Sequence, residues 1–268
     1  MRTIWIVAGA VFKESVRDRV PYTMVIFAVL LMAASYLIAQ LTAGQDLKII
    51  KDLGLAALSI FGLLIAVFIG INLVSKEVER KSVYGLLAKP VSRVQFILGK
   101  YAGLVMTLGV NIAVMTVAYY LVLYYMDVVT PPGAKPAWDA PALDPRLLLA
   151  VALIFGELML VTALALFFST FSSPLLATVL TLGLWVAGHF NSDLRNFQNV
   201  LDVAWIVWLT KVLYYLLPNL APFDIKAEVV HGMPVAASHV AYTLLYAAIY
   251  ITALIVSSIA VFRRRDFK

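Results

Sequence analysis

The fold class this sequence predicts is an all-α integral membrane protein with six transmembrane helices, and three observations predict it. Of 268 residues, 63% are hydrophobic and only 13% are charged, about half the charge of an average soluble domain. A mean hydropathy of +0.93 leaves more apolar surface than a water-soluble core can hide, and a bilayer is its natural solvent. The apolar residues are also gathered into long runs flanked by basic ones. The net charge of +6 would raise nucleic acid as a partner in a soluble protein. Here membrane topology accounts for it, so lipid is expected and nucleic acid is not. There is no cysteine, which excludes disulfides, thiolate nucleophiles and cysteine metal sites.

The whole chain, 1–268, reads as one membrane domain. Residues 1–19 form an amphipathic helix at the inner interface. Ile4, Ala8, Val11, Phe12, Ser15 and Val16 recur at helical spacing, with Arg2, Lys13, Arg17 and Asp18 elsewhere around it. The run after it is too long for a signal core, so it is expected to stay as an anchor. Spans follow at about 20–41, 53–75 and 98–126; 20–41, 53–75 and 101–126 carry no charge, enough for about 30 Å of hydrocarbon. The fourth, 147–170, carries one acid, Glu157. Ser172-Ser173-Pro174 breaks that run, and a shorter fifth span covers 174–190. The sixth, 240–262, stops at Arg263-Arg264-Arg265.

Between spans three and four, the loop 127–145 holds five prolines and reads as a short structured outer loop. Residues 191–239 form a second outer loop. Within it, 198–217 combines Trp205, Trp208, Tyr214 and Tyr215 with Asp202 and Lys211. Aromatics with a lysine suit an interfacial or re-entrant helix. With the N-terminus inside, the inner segments hold 14 Lys and Arg against 7 outside. The positive-inside rule therefore places both termini in the cytoplasm.

The inner connection between spans two and three alternates charges from Lys76 to Lys81, then presents Tyr84, Leu86 and Leu87, and breaks at Pro90. Two readings stand side by side. A mixed-charge helix with an apolar patch suits docking of a soluble partner. A solvated loop obeying the positive-inside rule explains the same residues.

Ser75-Lys76-Glu77-Val78-Glu79-Arg80, Leu86-Leu87-Ala88-Lys89-Pro90-Val91-Ser92-Arg93 and Gly99-Lys100-Tyr101 together resemble the permeases of the ABC-2 family of type-2 ABC exporters. Pro218-Asn219-Leu220-Ala221-Pro222-Phe223-Asp224 and the closing Phe262-Arg263-Arg264-Arg265-Asp266-Phe267 resemble it too. The similarity runs over essentially the whole chain. It is nearest the branch with permeases for nitrous oxide reductase copper-site maturation and gliding motility. Lys81 stands where that family commonly has glycine.

The resemblance implies a permease subunit in a prokaryotic inner membrane. Residues 77–87 would be a cytoplasmic coupling helix seated in an ATP-binding subunit, with Glu77, Glu79 and Arg80 as polar contacts and Tyr84 and Leu87 as apolar ones. It implies two ATP-binding subunits and a second permease, identical or a sister chain. ATP and Mg²⁺ would be bound by the partner, and this chain would hold no cofactor and catalyse nothing itself. The short connection 169–174 would be a minor contact. Consistent with a separate ATPase, the phosphate-loop pattern is missing: the only Gly-Lys, Gly99-Lys100, is followed by Tyr101 and preceded by Val94 where the first glycine belongs.

Glu157 is the one acid inside a span, and an intramembrane carboxyl is a functional candidate by default. It lines the path or shuttles a proton, or it pins two helices together by hydrogen bonds. His231-Gly232-Met233 and His239 sit in the outer loop without a helical His-x-x-x-His or a carboxylate cluster, so metal handling is not expected. His189 suits an interfacial position. Two other classes compete with the permease. A membrane anchor for a cytosolic ATPase fits the coupling segment almost as well. An intramembrane enzyme would need a convergent set of acids, bases or ligands, and only Glu157 lies deep.

Overall fold

The computed structural model describes residues 2–39, 46–79, 92–135, 138–190 and 217–264, with backbone alone for 72–79 and 264. Among them 85% are helical and none lies in a strand, as an all-α membrane protein requires: within lipid each span must satisfy its own backbone.

The helices are α1 (Arg2–Arg17), α2 (Arg19–Ala39), α3 (Asp46–Glu79), α4 (Arg93–Val129), α5 (Arg146–Ser169), α6 (Pro174–His189), the five-residue α7 (Lys226–Val230) and α8 (Ala237–Arg264). Five of them, α2, α3, α4, α5 and α8, are long and apolar enough to cross a membrane; α6 has 16 residues and is the short one. At 1.5 Å per residue α4 is about 55 Å long, so it projects beyond the hydrocarbon.

Local chemistry fixes the helix ends. Asp18 separates α1 from α2 and accepts a hydrogen bond from Val20 N at 3.2 Å, the work of an N-cap. Ser92 starts α4 with a reciprocal capping box: its Oγ accepts from Gln95 N at 3.2 Å, and its own N–H donates to Gln95 Oε1 at 3.3 Å. At the other end Thr130 returns both its N–H and its hydroxyl to Met126 O. Pro174 opens α6 at the first helical position, where a missing N–H costs nothing.

The chain runs up and down through these helices, giving the bundle two ends. The terminal end holds α1, the α3–α4 junction and the close of α8. The loop end holds residues 130–145 and 217–236. At the centre stand α3, packed on α2, α5, α4 and α6, and α5, packed on α3, α8, α6 and α4. Glycine lets α3 approach: a Cβ on Gly70 would lie 2.9 Å from Ala165 Cβ, and one on Gly62 would collide with Leu158. Helices that associate in lipid rely on such small residues, because lipid tails give no hydrophobic drive.

Two features go beyond what the sequence specified. The apolar stripe of α1 packs in part on a neighbouring helix. Ala8, Val11 and Ser15 are its buried residues, and they lie against α4, where Cβ atoms on Gly99 and Gly103 would come within 2.7 Å of Val7 and Val11. Trp5, Ile6 and Val16 are left outside, the last of them a member of that stripe. Lys48 and Lys51, read from the sequence as loop charges, sit on the first turns of α3, which begins at Asp46.

Candidate coupling face and buried carboxylate

At the terminal end, α3 runs to Glu79 and α4 restarts at Arg93. Glu77 and Glu79 lie on the last turn of α3 as backbone only; their side chains, and Arg80, Tyr84 and Leu87, are outside the described residues. What is described is the rim of that segment. Arg93 NH1 donates to Phe262 O at 3.1 Å and to Arg263 O at 2.7 Å. A cation near a helix C-terminus is favoured by the helix dipole. The rings of Phe96 and Phe262 stack beside the clamp, centroids 5.8 Å apart. One turn along, Lys100 is 1% exposed, its Nζ 4.8 Å from the centre of the Phe96 ring. Two stretches far apart in sequence, 92–101 and 262–263, thus form one joint.

At the other end of the bundle a second joint surrounds Glu157, which is 2% exposed on α5. Its Oε1 accepts from Trp185 Nε1 of α6 at 2.6 Å and lies 3.6 Å from His189 Nε2. His189 Nδ1 faces Trp185 O at 3.1 Å. A carbonyl oxygen only accepts, so Nδ1 carries a hydrogen. Nε2 then faces the carboxyl across 3.6 Å. With the indole N–H on one side and the imidazole on the other, the buried carboxyl is partnered rather than isolated.

Residues 218–224 roof this joint. Leu220 N donates to Gly188 O at 2.9 Å, and Asn219 N donates to Tyr246 Oη at 2.8 Å, tying α6 and α8 together. Phe223 is 1% exposed and packs at Gly156, beside Glu157. Asp224 pairs with Lys226 at 3.4 Å, and both are close enough to act electrostatically on Glu157.

Nearby, the loop 138–145 is bolted to α3. Lys51 is 1% exposed and donates to Pro141 O at 2.8 Å and Ala140 O at 3.4 Å. Tyr119 Oη donates to the Lys51 carbonyl at 3.3 Å. Asp139 joins Lys48 at 2.8 Å and His231 at 3.2 Å. Hydrogen bonds from Lys48 and His231 hold its carboxyl below the usual aspartate range. Gly232 takes a left-handed φ of +67°, which an L side chain rarely adopts, and its carbonyl accepts from Arg146.

Sequence reading placed Glu157 correctly inside a helix but did not pair it with His189. The two lie on different helices, and no local spacing joins them. It also treated Lys51 and Lys100 as boundary charges, whereas both are enclosed by protein. His231 pairs with Asp139, and His239 Nε2 donates to Pro222 O at 2.9 Å. Among the described residues no three His, Cys, Asp or Glu side chains converge on a metal position. The Gly99–Gly103 spacing was legible as a small-xxx-small pair; Gly99 was taken only as part of a family pattern.

The family model described as "ABC-2 family transporter protein" matches residues 5–267. The match reaches the family as a whole and no particular branch of it. No curated protein matches the sequence.

Proposed function

The chain belongs to the ABC-2 family of transporter proteins, and from that premise we propose that it is a permease subunit driven by a separate ATP-binding chain, exporting its substrate across the inner membrane of a prokaryote. The observation that carries this reading is the nearly full-length family match, which includes the charged connection between α3 and α4. That connection joins one of the two most enclosed of the described helices to the longest of them. A partner pressing on it acts on the core rather than on a peripheral loop.

In this reading residues 77–87 dock the ATP-binding subunit. Glu77, Glu79 and Arg80 make its polar contacts and Tyr84 and Leu87 its apolar ones. Two such subunits bind ATP and Mg²⁺, and two permeases, identical or sister chains, form the path. The terminal end faces the cytoplasm. Lys51 and Lys100 are enclosed by protein, so the charge count loses one from each side, leaving 13 against 6; the asymmetry survives. Glu157 serves in this scheme as a pin between α5 and α6.

The test is affinity isolation of the tagged chain from native membranes in mild detergent. A near-stoichiometric soluble subunit with a phosphate-loop motif is expected, with its ATP turnover stimulated by substrate. Glu79→Lys reverses a charge at the docking segment and is expected to leave insertion intact while weakening capture of that subunit. Unchanged capture by the variant rejects the coupling assignment. Capture without substrate-stimulated turnover favours a membrane anchor instead.

A further inference from the structure

We infer that Arg93 is the residue that makes α8 follow the coupling segment: it ties the start of α4 to the end of the last helix, so displacement of residues 77–92 is passed directly to α8. This rests on the permease reading above and adds to it a route from the docking site into the bundle. Arg93 is one residue beyond Ser92, the capping residue at which the connection becomes α4. Its guanidinium spans two successive carbonyls, Phe262 O and Arg263 O.

Arg93 and Arg263 are both cations, yet Arg93 is held at the Arg263 carbonyl. The two carbonyls accept from the Arg93 side chain, at 3.1 and 2.7 Å. Both bonds leave a single guanidinium nitrogen, NH1, so one group bridges the two carbonyls. The stacked Phe96 and Phe262 rings flank the clamp from the same two helices.

The consequence reaches the far end of the bundle. α8 packs along α5, and its Tyr246 accepts from Asn219 in the segment that roofs Glu157. An ATP-driven shift at residues 77–92 therefore has a packed path through Arg93 and α8 to the loop end. Arg93 is a positioning residue: it touches neither nucleotide nor substrate.

The chain lacks cysteine, so spin labels on Leu175→Cys and Ala260→Cys report α8 against α6 on an otherwise native background. Both positions are exposed. The complex with its co-purified ATP-binding subunit, in lipid nanodiscs, is measured without nucleotide and with ATP, Mg²⁺ and vanadate. The labelled wild-type complex is expected to show a nucleotide-dependent shift in label distance. Arg93→Gln is expected to lose that shift while retaining the ATP-binding subunit and a wild-type melting temperature. Arg93→Lys, which keeps a cation at the helix end, is expected to restore part of it. Phe262→Leu removes the ring stack but leaves the carbonyls, and is expected to keep the shift.

A full shift in Arg93→Gln overturns the inference, as does the absence of any shift in the wild-type complex. Loss of the shift in Phe262→Leu also overturns it, because packing and not the clamp would then be the link. Failure of the permease reading looks different: no ATP-binding subunit is recovered with the unmutated chain, before Arg93 is touched, and the inference falls with it.

Discussion

By composition α3 and α8 are the same kind of object, long helices apolar enough to cross a membrane, yet the structure uses them oppositely. In the most apolar stretch of α3, 72% of the residues are buried inside the protein; in that of α8, 22% are. One difference lies in glycine. α3 carries Gly54, Gly62 and Gly70, each set against a different close neighbour: Tyr119, Leu158 and Ala165. Neither α8 nor α2, the other lipid-facing helix near a terminus, contains a glycine. In water, apolarity decides what is buried. In lipid both environments are apolar, so close approach of backbones decides it.

The largest expected effect breaks that approach. Gly70→Leu drives a branched side chain into Ala165, 2.9 Å from where its Cβ would stand. It is expected to destabilise the fold by about 3 kcal/mol or more, read as a lowered melting temperature in detergent. The matched control is Gly183→Ala on α6, where a Cβ meets nothing within 4 Å. There the better helix propensity of alanine is expected to raise stability by up to about 1 kcal/mol. Equal losses at the two glycines would refute the close-approach account.

The second effect tests the polar side of the same core. Glu157→Ala removes the acceptor of Trp185 Nε1 and the partner of His189 Nε2. Leaving buried donors without acceptors is expected to cost on the order of 2 kcal/mol. Glu157→Gln keeps an oxygen for the indole N–H and is expected to recover most of that loss. The readout is thermal unfolding, with the emission of the tryptophans followed in parallel. If Glu157→Gln is as damaging as Glu157→Ala, the contact with His189, and not the indole hydrogen bond, holds α5 to α6.

These contrasts explain what could be read in the sequence. Crossing helices were legible because charge-free runs are a direct consequence of bilayer thickness. Proline and serine marked the break before α6. The partners of each helix were not legible. The buried face of α4 recurs at Ile112, Met115, Tyr119 and Leu123, but its outward face at Val110, Val114, Val117 and Leu121 is equally apolar, so no stripe shows. Only α1 had a readable stripe, and the sequence does not say that part of it packs on α4. Arg93 and Phe262 are 169 positions apart, Glu157 and His189 sit on separate helices, and no periodicity within one helix reports such meetings. Lys51 and Lys100 misled for a related reason: a lysine beside an apolar run is ordinarily a boundary marker, and only the fold reveals the carbonyls and ring that receive them.

The smallest effect is the sharpest test, because it stays within one helix and one residue type. Ile249 and Ile251 are two positions apart on α8, 64% and 8% exposed. In a soluble protein, truncating a buried isoleucine to alanine forfeits both a transfer term and a packing term, together about 2–5 kcal/mol. In lipid the transfer term nearly vanishes, since acyl chains replace the lost burial, and the packing term alone remains. Ile251→Ala is therefore expected to cost roughly 1 kcal/mol, below the soluble range, and Ile249→Ala is expected to be indistinguishable from the wild type in the same melting assay. A cost at Ile249 equal to that at Ile251 would mean that the outward face of α8 is covered by protein in the assembled transporter, and that α8 is a rim helix only in the single chain.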